Sequence, residues 1–284
     1  MDFYSSQSLA FIQSSLEEDI GSGDHSSLAS IPIGTEGKAR LLIKEEGVLA
    51  GVELAKAILH FVDDQLEVEQ LLDDGASVSP GDEGFYVSGS THSILKSERL
   101  LLNCMQRLSG IATYTRQLAD IIDGTHAKLL DTRKTTPGLR FLEKWAVTVG
   151  GGYNHRHGLY DMVMLKDNHI DYAGGITKAV TRTVDYLKSN DLNIPIEVET
   201  RNLEEVSEAL SCEGVDRIMF DNFTPELMVE AVTMVKQQCE TEASGGITED
   251  TIRSYAETGV DFISVGALTH SVKSLDISLK QVSS

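Results

Sequence analysis

From residue 125 onward, short apolar stretches alternate with helix-patterned segments, and this alternation limits the fold more than any other feature of the chain. The stretches are AKLLD (127–131), DMVMLK (161–166), IPIEVE (194–199), RIMFD (217–221), ETEASGG (240–246) and DFISVG (261–266). The segments between them open on helix-start signals. Asn202 is followed three residues later by Glu205, Thr224 precedes Pro225, and Thr248 precedes Glu249 and Asp250. Repeated strand–helix units with nearly continuous apolar strands predict a parallel sheet. An open doubly wound sheet and a closed barrel both satisfy that pattern, so the polar residues must separate them. An open sheet uses mainly the point where its strand order reverses, whereas a barrel gathers function at the carboxyl ends of all its strands. Here every strand ends in polar or small residues: Asp131–Lys134, Lys166–Asn168, Glu197 and Glu199, Asp221–Asn222, Ser244–Gly246, and Gly266 with His270 beyond. Six polar strand ends favour the barrel.

The first part of the chain has a different rhythm, and the division falls near residue 115. Leu9, Ile12, Leu16 and Ile20 share one face of an N-terminal amphipathic helix. Residues 39–44 and 85–87 read as strands, 50–62 as a helix, and GASVSPGDE (75–83) as a turn cluster. Residues 97–122 carry helical periodicity through Leu101, Met105, Leu108 and Ile111, with Gly110 weakening the middle by about 1 kcal/mol relative to Ala.

With 284 residues the chain holds either one large α/β domain or a barrel with a smaller domain, and it is long enough to bury a core. No apolar run reaches the roughly 18 residues of a membrane span, and residues 1–20 lack the basic start and apolar centre of a signal peptide. Three widely spaced cysteines without a CxxC pair suit free thiols in a reducing compartment, so a cytoplasmic protein is expected. The formal charge of −20 argues against nonspecific nucleic-acid binding.

Against that acidic background, residues 128–169 carry seven Lys or Arg and four Asp or Glu. A local cationic excess in an acidic protein focuses field on an anion. Arg133, Lys134, His155, Arg156 and Lys166 can supply donors to carboxylates or phosphates, while Glu199 and Asp221 bring anions to the same mouth. Such a carboxylate pair suits a Mg²⁺-bound sugar diphosphate or a developing cation. The late turns ASGGIT (243–248) and SVGALTH (264–270) stand where barrels commonly bind phosphate through backbone N–H groups. Taken singly, each glycine serves equally well as a tight βα turn; together they favour the phosphate. GxGxxG after a first strand, GxxxxGK[ST], HExxH and GxSxG are all absent.

The segments DTRKTTPGLR (131–140), GGGYNHRHGL (150–159), LKDNHI (165–170), EVET (197–200), FDNF (220–223), EASGGIT (242–248) and SVGALTHS (264–271) resemble those of the quinolinate phosphoribosyltransferases. EDIGSGD (18–24), KEEGVLAG (44–51) and SERLLLNCMQRLSGIAT (97–113) extend the likeness over almost the whole chain. The resemblance implies an α/β protein with an N-terminal α/β sandwich (1–114, completed by 271–284) and an incomplete, seven-stranded TIM-like barrel (115–270). It implies a reaction in which 5-phosphoribosyl 1-diphosphate and quinolinate give nicotinate mononucleotide, CO₂ and diphosphate, with Mg²⁺, in de novo NAD synthesis. By the same resemblance Arg133, His155, Arg156 and Lys166 line the quinolinate pocket, and Lys134 and Lys166 face the diphosphate. Glu199 and Asp221 hold the ribose hydroxyls and the metal, the latter directly or through the sugar diphosphate. Ser244, Gly245, Gly246, Gly266 and His270 surround the 5′-phosphate. Arg99 matches a family residue that enters the pocket from the partner subunit, so a homodimer or a multiple of it is expected. Two other readings share parts of this pattern: a pyrophosphorylase-like protein of bacterial molybdate-transport clusters, and a nonenzymatic phosphoribosyl-diphosphate sensor. The complete DTRKTTPG, NHR and SER arginines argue for quinolinate.

Overall fold

The computed structural model describes residues 1–282. Contacts divide the chain into two units, one formed by residues 1–114, 141–150 and the segment beginning at Ser271, the other by residues 115–140 and 151–270.

In the first unit α1 (Ser6–Ile20) buries Ile12 and Leu16 on the face anticipated from its spacing, and Ser5 caps it. After α2 (His25–Ser30), the chain forms β1 (Glu36–Ile43), the short β2 (Gly47–Val48), α3 (Val52–Val62), β3 (Glu67–Gln70), β4 (Ser77–Val78) and β5 (Glu83–Ser90). β2 and β4 pair antiparallel, so the turn cluster at 75–83 contains a two-residue strand. β3 escapes a reading based on apolar runs because Val68 is the sole aliphatic side chain in EVEQ. It lies at one edge of its sheet, where charged residues discourage further strand pairing. The long α4 (Thr91–Ile121) follows.

Residues 141–150, although they fall within the 115–270 span, group with the first unit. They form most of α5 (Arg140–Val149), whose Phe141 and Trp145 meet Phe11 and Phe3 edge to face, while buried Glu143 accepts hydrogen bonds from Arg107. After the second unit the chain returns as β12 (Ile277–Gln281), pairing antiparallel with β1 to complete the order β12–β1–β5–β3. This return explains Gly110. A Cβ there would lie 2.2 Å from the Lys273 carbonyl oxygen, so the glycine that weakens α4 locally admits the returning backbone.

The second unit contains all six strands expected from the alternation: β6 (Lys128–Leu130), β7 (Val163–Leu165), β8 (Ile196–Thr200), β9 (Arg217–Asp221), β10 (Glu240–Ser244) and β11 (Phe262–Ser264). They are parallel in the order β6–β11–β10–β9–β8–β7. Successive strands from β7 to β11 are neighbours, as in a barrel, and no strand-order reversal of the doubly wound kind occurs among them. A parallel bridge between Leu130 and Tyr153 extends the sheet beyond β6, so the seventh position is a one-residue bridge instead of a full strand. Intervening helices are α6 (Asp167–Ala173), α7 (Ile176–Ser189), α8 (Leu203–Leu210), α9 (Pro225–Val235), α10 (Ile252–Ala256) and α11 (Ala267–His270). Asn202 and Thr224 accept cap hydrogen bonds from Glu205 and Leu227, as their sequence signals predict. Thr248 does not cap the next helix. It opens a turn whose carbonyl accepts from Thr251 and Ile252, and α10 starts one turn later. Among the described residues no helix is long and apolar enough to cross a membrane.

The strands are less uniformly apolar than their sequences suggest. Register aligns Glu197 with Arg217, Met219 with Glu242, and Asp221 with Ser244. Because alternate side chains point to opposite faces, these residues share one face and Val198, Ile218, Phe220, Ala243 and Ile263 share the other. The second face forms the buried apolar layer beneath the helices, and the first carries the charges.

Candidate functional site

The charged face opens into a cavity of about 600 Å³ at the carboxyl ends of the strands. Twelve of the thirteen residues singled out in the sequence line it: Arg133, Lys134, His155, Arg156, Lys166, Glu199, Asp221, Ser244, Gly245, Gly246, Gly266 and His270. Arg99 is exposed on α4 of the first unit and does not belong to this lining.

One side of the cavity is cationic. Arg133 and Arg156 follow β6 and the Tyr153 bridge, and buried Asp131 joins the two segments by accepting the His155 backbone N–H at 2.8 Å. Asp161 organises the next turn by accepting the His157 and Gly158 N–H groups at 2.6 and 2.9 Å. Burial and the neighbouring Arg133 charge both lower the Arg156 pKa. Arg133 Nε is buried without a hydrogen-bond partner. Two mutually repelling guanidiniums, one with an unsatisfied donor, form a site that an anion would stabilise twice: by charge and by hydrogen bonding.

Across the mouth stand the acids. Burial raises the Glu199 pKa and the nearby Asp221 charge adds to the shift, against the pull of Lys166, whose Nζ lies 3.6 Å from Glu199. Asp221 ends β9 and accepts from the Asn222 side chain at 2.8 Å. Asn222, absent from the sequence-derived set, shapes the next subsite. It adopts a left-handed conformation with φ 57°, and its N–H donates to the Ser244 carbonyl at 2.8 Å. The chain therefore passes tightly against Gly245, where a Cβ would meet Asn222 Oδ1 at 2.3 Å and its backbone N at 2.8 Å. Gly245 also has φ +98°, so both space and backbone conformation require glycine. Gly266 approaches Lys134 and His270 closely, bringing the two glycine-rich turns and a lysine to one end of the cavity.

His155 joins the cavity to the barrel interior. It lines the cavity, but its ring reaches down into the barrel, with Nε2 3.0 Å from Glu197 and 3.3 Å from Glu242. Nδ1 accepts the Arg156 backbone N–H at 2.6 Å. Burial alone would lower the His155 pKa, but the Glu197 and Glu242 carboxylates close to Nε2 outweigh it and raise the value to about 9. Burial and the Glu242 charge raise Glu197 to about 7. The cluster thus retains a proton at neutral pH, and the Nδ1 contact places it on the side of Nε2 and the carboxylates. Glu242 and Arg217 escape a search of strand ends because they sit mid-strand; their signal is the two-residue period of charge.

The sequence profile described as the C-terminal domain of quinolinate phosphoribosyl transferase matches residues 111–280, and the N-terminal domain profile matches 24–109. The chain is 49% identical over 286 aligned residues to the chloroplastic nicotinate-nucleotide pyrophosphorylase [carboxylating] of Arabidopsis thaliana, covering 95% of this chain and 82% of that one. It is 48% identical over 284 residues to quinolinate phosphoribosyltransferase [decarboxylating] 1b of Nicotiana tabacum, covering 95% and 81%. The crystal structure of NadC from Streptococcus pyogenes superposes with a TM-score of 0.94 at 38% identity, covering 100% of both chains.

Proposed function

Because this chain belongs to the quinolinate phosphoribosyltransferase family, we infer that it transfers the phosphoribosyl group of 5-phosphoribosyl 1-diphosphate to quinolinate with loss of CO₂. The products are nicotinate mononucleotide, diphosphate and CO₂, a step of de novo NAD synthesis. The observation that carries the placement of quinolinate is the Arg133–Arg156 pair, with its buried, unpartnered Nε donor. Quinolinate has two adjacent carboxylates, which these guanidiniums and Lys166 would bind while His155 forms part of the pocket floor. The 5′-phosphate is assigned to the Ser244–Gly246 and Gly266 turns beside His270, where exposed backbone can approach it, and the diphosphate to Lys134 and Lys166.

Glu199 and Asp221 are assigned to the ribose hydroxyls and to Mg²⁺, directly or through the sugar diphosphate. Among the described residues Glu199 and Asp221 belong to no group of three or more candidate ligands, which suits an ion that keeps waters and phosphate oxygens in its shell. When bound, Mg²⁺ supplies positive charge to the departing diphosphate. The chain's own contribution begins as the bond from ribose C1 to the diphosphate oxygen breaks, with Glu199 and Asp221 stabilising the oxocarbenium-like centre electrostatically. Lys134 and Lys166 receive the leaving charge. The pyridine nitrogen needs no general base, since its lone pair is free, and it forms the new bond to C1. The C2–carboxylate bond then breaks, its electron pair passing to the cationic ring, which takes up a proton at C2 as CO₂ leaves.

The expected oligomer is a homodimer or a multiple of it, with Arg99 entering the partner's cavity. Its exposure on the first unit and absence from the cavity lining support that reading. Free Cys104, Cys212 and Cys239 support a reducing compartment, the cytoplasm. Incubation with quinolinate, 5-phosphoribosyl 1-diphosphate and Mg²⁺ should release CO₂ and nicotinate mononucleotide in equal amounts; release of neither would reject the assignment.

A further inference from the structure

At the floor of the cavity, which Glu242 itself lines, the barrel interior holds charge where such barrels are usually filled by branched apolar side chains. Glu197 and Glu242 are completely buried, and Arg217 is nearly so. Two buried carboxylates are costly to desolvate, and they repel any dicarboxylate bound above them. Attraction of substrate therefore cannot be their role, and what they contact instead is the underside of His155.

The contacts form a continuous support. Phe262 stacks under Arg217, with the guanidinium carbon 4.1 Å from the ring centroid. Arg217 donates to Glu240 at 2.8 and 3.1 Å and to Glu242 at 3.0 Å. Glu242 and Glu197 together engage His155 Nε2. Above the ring, Nδ1 holds the backbone N–H of Arg156, a cavity-lining cation. We propose that Glu197, Glu242 and Arg217 are positioning residues for the quinolinate end of the site: they seat the His155 ring and, through it, fix the backbone from which Arg156 reaches the substrate. The proposal rests on the assignment of Arg133 and Arg156 to quinolinate. Ligand atoms of His155, Glu197 and Glu242 also lie within 4.8 Å of one another, a spacing that a divalent ion could use. Arg217 donates to Glu242 from one side, however, and His155 Nε2 stands between the two carboxylates, so cationic groups of the chain already occupy the space between them.

A group that acts by holding Arg156 should affect one substrate more than the other. Steady-state kinetics of Glu242→Gln, with Glu197→Gln as a second variant should the first fail to fold, should show quinolinate KM raised on the order of 10- to 100-fold, while KM for 5-phosphoribosyl 1-diphosphate stays within about twofold. Restoring the carboxylate on a shorter stem, in Glu242→Asp, should recover part of the loss. Equal changes in both KM values, or no change in either, in a folded variant would overturn the positioning role. So would a stoichiometric divalent metal in the purified wild type that is absent from Glu242→Gln. Arg133→Ala is the parallel control: a normal quinolinate KM there would overturn the underlying pocket assignment, and a raised one would leave the Glu242 result to decide the positioning role alone.

Discussion

The replacement Gly245→Ala isolates the phosphate end of the site. The new Cβ would stand 2.3 Å from Asn222 Oδ1 and 2.8 Å from Asn222 N. The amide oxygen could rotate away, but the backbone nitrogen is tied to the Ser244 carbonyl at 2.8 Å and cannot yield without opening the end of β10. At φ +98°, alanine adds backbone strain of about 1–3 kcal/mol. The turn is near the surface, so the free enzyme can relieve this strain by opening that end of β10 alone, leaving the buried core in place. Binding phosphate would restore the strained form and reduce affinity by the same free energy, a factor of about 5 to 150. Steady-state kinetics should therefore show an increase of that size in KM for 5-phosphoribosyl 1-diphosphate, with quinolinate KM nearly unchanged and thermal unfolding close to wild type. Normal KM for the sugar diphosphate in a correctly folded variant would refute the placement of phosphate against this turn. A large loss of stability with both KM values intact would also refute it, since the strain would then be borne by folding and not by binding.

If Arg99 serves the partner's cavity, mixing inactive Arg99→Ala and Lys166→Ala parents should restore about one intact site in four under random dimer exchange; no recovery despite confirmed mixing would count against sharing. Removal of Mg²⁺ by chelation should abolish nicotinate mononucleotide formation and its return should restore it, whereas full turnover in metal-free buffer would contradict the assignment. The His155 cluster predicts a pH-dependent stability. Its folded-state pKa of about 9 exceeds the ordinary 6.5, so its contribution is complete below about 6.5 and disappears as pH rises through about 9, on the order of 3 kcal/mol in all. Melting temperatures of wild type should therefore fall more steeply across that interval than those of His155→Gln, and parallel curves would contradict the sign.

Much of this site was legible because barrel topology turns a linear pattern into a spatial one. Strands that end in polar residues at scattered positions become adjacent once they run parallel around one axis. Arg133, Lys166, Glu199, Asp221 and Ser244 therefore meet in one cavity despite their separation along the chain. The seventh barrel position was not legible from residues 150–157, since a single bridging residue among glycines and polar groups produces no strand period. Nor could local sequence show that Gly110 serves close approach: the backbone it admits arrives more than 160 residues later.

The mid-strand charges had a signal of a subtler kind. Glu197 and Glu199, Arg217 and Asp221, and Glu240 and Glu242 recur at even spacing within otherwise apolar stretches. Reading those stretches as uniformly buried discards the alternation, because a strand covered on both faces is usually apolar on both. Here the helix-facing side supplies the apolar layer and the barrel interior bears opposed charges set close to one another. The cationic stretch at 128–169 therefore does not create the anion site unaided. Its arginines extend from a segment whose His155 stands against acids on β8 and β10, so a histidine ring separates Glu197 from the cavity's arginines while Arg217 pairs Glu242 from the other side.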